Sequence, residues 1–324
     1  MVKVDPSHPG QLDESTPRTG LWQVVDGLVR QLDSETARAH GVVPLMAQLQ
    51  RSRGEEVSAE LLHEERAARM TNAIAPSVLA RARAAYDGPM LLLKGPEVSA
   101  LYPGQARMLA DLDLLASDAQ GAWDALRAAG FVQPERLKGV SSEFFHLDPL
   151  ELPGIPLQIE LHKTFGWPSG LHPPRNEALF EAAVPASVGV PGVLTPARAH
   201  HTVLLAGHAW NERPLERLRD LIDIAVMAEP IDRRELAAIA AEWGWDRLWR
   251  TTRRVLDWLF GDGQKPTAVR LWARHLPDLR VPTRTELQLR RYLAPFWAAP
   301  AATALHEDAY QAKLSLTRSR SPAQ

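Results

Sequence analysis

Three acidic residues and a histidine occupy alternating positions in two short apolar stretches. In Asp111-Leu112-Asp113-Leu114 the two aspartates are two residues apart. In a strand both carboxylates project from one face, while Leu112 and Leu114 enter a core on the other. Carboxylates about 4 Å apart repel by about 4 kcal/mol at an effective dielectric near 20, a cost that a bound cation offsets. In Leu157-Gln158-Ile159-Glu160-Leu161-His162 the same alternation puts Gln158, Glu160 and His162 on one face. A third carboxylate beside the aspartate pair makes an oxygen-rich site suited to magnesium or manganese.

Basic residues accompany these acids. Lys94 and Gly95 close the apolar run Met90-Leu91-Leu92-Leu93 and open a short helix. Backbone N–H groups, the helix dipole and the ammonium can together hold phosphate oxygens there. Arg107, shortly before the aspartates, offers a bidentate phosphate contact. Each also has a plain structural reading, a lysine snorkelling at a strand end and an arginine paired with a nearby carboxylate. His162 reads equally as a structural histidine or as a participant.

The elements that must position these groups follow from the spacing of apolar residues. Leu21, Val25, Leu28, Val29 and Leu32, then Val43, Leu45, Met46 and Leu49, fall at helical intervals. A further helix over residues 56–86 should break or kink near Pro76. Strands are expected at Met90–Leu93, at the aspartate pair, from Phe131 and at 157–162, with a helix from Asp118 to Ala129 stopped by Gly130. Helical spacing returns through Ala197–Ala228, Arg233–Trp243, Trp245–Phe260 and Thr283–Trp297. The expected organisation is a polar lead-in at 1–18, an N-terminal helical region at 19–86, a sheet domain with the metal site at 87–190, a C-terminal helical domain at 191–314 and a flexible tail at 315–324. The fold class is α+β, a mixed sheet flanked by two helical regions.

Composition narrows the function. The 324 residues carry 37 Lys+Arg against 39 Asp+Glu, a balance that argues against a nucleic-acid-coating protein. There is no cysteine, which excludes disulfides, thiol nucleophiles and cysteine-based metal sites. No apolar leader opens the chain and no long uncharged apolar run follows, so a cytoplasmic protein making no membrane contact is expected.

The ordered string Leu92-Leu93-Lys94-Gly95, Tyr102-Pro103, Arg107, Asp111-Leu112-Asp113-Leu114-Leu115 and Glu160-Leu161-His162 resembles the uncharacterised nucleotidyltransferase-like family of the polymerase β superfamily. His40-Gly41-Val42-Val43-Pro44-Leu45, His208 and Arg219-Asp220-Leu221-Ile222-Asp223 extend the resemblance over most of the chain. It implies that Asp111, Asp113 and Glu160 bind two metals, which align a nucleoside triphosphate for attack at its α-phosphorus, with Glu160 or His162 taking the proton. The chain departs from the wider superfamily, which usually has Gly-Ser where Lys94-Gly95 stands, although Lys-Gly is what the closer family shows. The acceptor class implied is a peptide, a sugar or another small molecule.

Two other functions fit the same residues. One is a catalytically silent module of this fold that grips a nucleotide or a peptide. The other is a metal-dependent phosphohydrolase using His162, His201 or His208, against which the absence of a His-Asp ligand spacing counts. His200, His201 and His208 share a helix and read as structural or substrate-contacting. Trp245 and Trp249 read as core with Leu248, Val255, Leu256 and Leu259, and Arg219 is spaced for an ion pair with Asp223.

Overall fold

The structure, a computed structural model, describes residues 20–135 and 145–306. The expected lead-in at 1–18 and tail at 315–324 lie outside them. Four helices come first: α1 (Gly20–Val29), α2 (Ser34–Ala39), α3 (Val43–Ser52) and α4 (Ala59–Ala85). Asp33 and Ser58 start α2 and α4 by accepting the backbone N–H of Thr36 and Leu61. The break expected near Pro76 does not occur, and α4 is one helix of 27 residues. A proline removes one backbone donor, and here both sides of the gap are held by packing: Leu61 joins the helical core, and Ala75, Val78, Leu79 and Ala82 the core under the sheet.

The central portion contributes β1 (Met90–Leu92), α5 (Pro96–Ser99), β2 (Asp111–Ala116), α6 (Ala119–Ala128), β3 (Leu150–Glu151), β4 (Gln158–His162), α7 (Asn176–Glu181), β5 (Ala183–Pro185) and β6 (Leu194–Pro196). The strands form one mixed sheet in the order β3-β4-β2-β1-β6-β5, with β2 parallel to β4 and antiparallel to β1. The strand expected from Phe131 is reduced to a single bridge between Val132 and Glu151. Three strands were not expected: β3, which pairs antiparallel with β4; β5; and β6, which pairs in parallel with β1 and carries the sheet to Pro196.

The last third is helical: α8 (Arg198–Glu212), α9 (Leu218–Ala228), α10 (Arg233–Glu242), α11 (Asp246–Phe260), α12 (Thr267–Leu271), α13 (Arg284–Leu293) and α14 (Pro295–Ala298). The stretch read as helical from Ala197 to Ala228 is two helices, α8 and α9. No helix among the described residues is long and apolar enough to cross a membrane.

Alternation along the strands divides the interior in two. Met90, Leu92, Leu112, Leu114, Ile159 and Leu161 pack with α4 and α6 residues such as Leu79 and Leu126. Leu91, Leu93 and Leu115, from the opposite face, join a larger core built from the N-terminal and C-terminal helices together, with Trp245 and Trp249 inside it as expected. The carboxylates of β2 and β4 share this second face.

Candidate active site

The pairing of β2 with β4 assembles the site. Asp113 is in register with Glu160, Asp111 with Gln158 and Leu115 with His162. Asp111, Asp113, Glu160 and His162 therefore share one face of two adjacent parallel strands, while Leu112, Leu114, Ile159 and Leu161 anchor the other.

Asp113 is the centre of the cluster. Its side chain is 1% exposed, and its Oδ1 accepts a 2.9 Å hydrogen bond from His162 Nε2. The carboxylate can only accept, so Nε2 carries a proton, and the buried Nδ1 has no hydrogen-bond partner. Asp113 Oδ2 faces Lys94 Nζ at 3.2 Å in an ion pair that lacks hydrogen-bond geometry. Glu160 Oε2 is 3.9 Å from His162 Nε2.

Charge and burial act differently on the three carboxyls. Burial alone would raise Asp113, but the Lys94 ammonium and the His162 hydrogen bond hold it well below the ordinary aspartate range. Asp111 is pushed up, chiefly by the Asp113 charge and then by burial. Glu160 is raised to about 7, first by burial and then by the charges of Asp113 and Asp111. One carboxylate is firmly ionised, and the two beside it are short of positive charge.

Ligating atoms of Asp113, Glu160 and His162 lie within 4.8 Å of one another, so these three residues can hold a metal ion. Two carboxylate oxygens and an imidazole suit a divalent cation. The incomplete hydrogen bonding of Asp113 Oδ2 and the two elevated carboxyls fit such an ion. The expected ligand set had Asp111 in place of His162. Asp111 lies on the same strand face, coupled to Asp113 by charge, but outside this group of three.

Lys94 reaches the cluster, and Gly95 explains how. Its φ of +82° is a conformation that side-chain-bearing residues rarely adopt, and it turns the chain sharply from β1 into α5. With only four residues in α5, and a proline without an N–H at its start, the helix end offers fewer backbone donors than the expected phosphate cradle.

Arg107 is placed elsewhere. It is 7% exposed, and its Nε and Nη2 donate to Asp223 of α9 at 2.8 and 2.7 Å. Tyr102 donates its hydroxyl to the same carboxylate at 2.6 Å. Of the two readings of Arg107, the structure realises the ion pair, and the guanidinium edge expected at phosphate is taken by Asp223. The Arg219–Asp223 pair expected from helix spacing is absent for the same reason, and Arg219 bonds to Asp220.

One contributor comes from outside the sheet. His208 of α8 accepts from Lys94 Nζ at 3.0 Å, and its Nε2 is 3.3 Å from Glu212 Oε1. Burial and the Lys94 charge push the imidazole well below its usual range, leaving it neutral and able to accept. The sequence signal was the i, i+4 spacing of His208 and Glu212 along one helix.

A family model described as an uncharacterised nucleotidyltransferase matches residues 34–261, more than two thirds of the chain and every element named at the site. The chain belongs to this nucleotidyltransferase family. No curated protein and no solved structure matched the chain. Membership brings transferase activity to a sheet whose carboxylates and histidine can hold a metal.

Proposed function

We propose that this chain is a metal-dependent nucleotidyltransferase, moving a nucleoside monophosphate group from a nucleoside triphosphate to a small-molecule or peptide acceptor with release of pyrophosphate. The observation that carries this reading is the β2–β4 register, which sets Asp113 against Glu160 on a face shared with Asp111 and His162. Asp113 and Glu160, with Asp111 or His162, would hold magnesium or manganese. A divalent ion there supplies charge compensation for the triphosphate and acidifies an acceptor hydroxyl.

The bond formed is from the acceptor oxygen or nitrogen to the α-phosphorus, and the bond broken is from that phosphorus to the bridging oxygen, which leaves with pyrophosphate. The acceptor proton would pass to Glu160 or to His162, whose Nδ1 has no hydrogen-bond partner. Lys94 adds positive charge beside the carboxylates.

The test is calorimetric titration with ATP, GTP, CTP and UTP, with and without magnesium, alongside a pyrophosphate-release assay. Magnesium-dependent binding of one triphosphate, lost in Asp111→Asn/Asp113→Asn, supports the transferase and names its donor. Absence of binding to all four moves the assignment to a silent module of the same fold.

A further inference from the structure

The carboxylate face already carries a cation belonging to the chain. Lys94 Nζ is 3.2 Å from Asp113 Oδ2 and 3.0 Å from His208 Nε2, and Glu212 Oε1 approaches the same histidine nitrogen at 3.3 Å. Strand β1 brings the lysine and α8 brings the histidine, residues 114 positions apart. Burial opposes the charged lysine, yet Asp113, Asp111 and Glu212 overcome it and hold the ammonium more firmly than in water.

Oδ2 is also the oxygen of Asp113 left without a hydrogen bond. It is therefore the oxygen a metal would take, and a divalent ion and an ammonium a few Å apart on one buried carboxylate repel strongly. One has to leave. The lysine has a flexible four-carbon stem and a second polar partner in His208, so it can leave without being stranded.

Building on the metal site proposed above, we propose that Lys94 is a resident cation seated between Asp113 and His208, which a divalent metal displaces from Asp113 and which then pairs with the phosphates of the incoming nucleotide. Metal alone binds against the lysine. Metal with triphosphate binds more tightly, because the displaced ammonium gains a new anionic partner. The two ligands are coupled through one side chain, and the coupling is reciprocal.

The experiment is titration of the full chain with Mn2+, following the free ion by electron paramagnetic resonance, with Mn2+ alone and then with each of the four triphosphates. Lys94→Met removes the charge, Lys94→Gln keeps a donor for His208, and Lys94→Arg keeps the charge. Circular dichroism establishes that each variant is folded. Lys94→Met and Lys94→Gln are expected to bind Mn2+ alone about tenfold more tightly than the parent and to lose the gain conferred by triphosphate, while Lys94→Arg retains the parent's weak binding of metal alone. Unchanged or weaker Mn2+ binding by folded Lys94→Met and Lys94→Gln overturns the resident cation but leaves the metal site standing. Absence of Mn2+ binding by every form, the parent included, overturns the metal site and this inference with it.

Discussion

Asp113 and Glu160 face each other across two parallel strands, yet they are electrostatic opposites: one is held ionised by Lys94 and His162, and the other is raised to about 7 by burial and its acidic neighbours. They therefore respond differently to substitution and to pH.

The two aspartates of β2 should separate in stability measurements. Asp113→Asn leaves the Lys94 ammonium without its carboxylate partner and should cost about 3 kcal/mol. Asp111→Asn removes a like charge beside Asp113 and should leave the metal-free protein as stable or up to about 1 kcal/mol more so. Urea denaturation in the presence of a chelator measures both, and equal losses would contradict this division of roles.

Glu160 gives the metal-free protein a pH signature. Its folded pKa is above the unfolded one, so its contribution is full below about pH 4.5 and is lost as the pH rises through about 7. Glu160→Gln should have little effect near pH 4.5 and should stabilise the metal-free protein by about 2 kcal/mol at pH 8. Melting temperatures at the two pH values check the sign, and an Asn-like loss at both would contradict it.

The Arg107–Asp223 pair should behave as a buried pair rather than as part of the phosphate site. Asp223→Ala strands a buried guanidinium and should cost about 3–5 kcal/mol, whereas Arg107→Met with Asp223→Leu should cost markedly less than the sum of its single changes. A double-mutant cycle by chemical denaturation supplies both numbers.

Gly95→Ala tests the turn that delivers Lys94. An added Cβ would meet only ordinary contacts, Leu109 Cδ2 at 3.6 Å and the Asp111 carbonyl oxygen at 3.7 Å, so the penalty comes from the backbone at φ +82°. A loss of about 1–3 kcal/mol is expected, and an unchanged melting curve would contradict the strained turn.

The parts of this fold legible in the sequence were those with enough residues to show a period. Strands β2 and β4 alternate over six and five residues, and helices α8 to α11 and α13 repeat over ten to fifteen. Strands β5 and β6 have three residues each, too few for a period, and both end in proline. At the site, the carboxylate spacing along each strand was readable, and so was the face it selects. The partners chosen across the chain were not: Arg107 with Asp223 and Lys94 with His208 span more than a hundred residues, and nothing in local spacing specifies such pairings. Asp223 was read as a partner for Arg219 on its own helix because the buried arginine that takes it lies in a distant loop.

The large core shared by the first and last helices also has a temporal consequence. His40 Nδ1 accepts the Leu218 N–H, its carbonyl accepts that of Arg219, and its ring stacks on His275. During synthesis from the N-terminus, α1 to α3 are made long before these partners leave the ribosome, and the acidic face of the sheet waits equally long for α8 to bring His208. The first helices wait for the last ones, and the acidic face of the sheet closes only once α8 has been made.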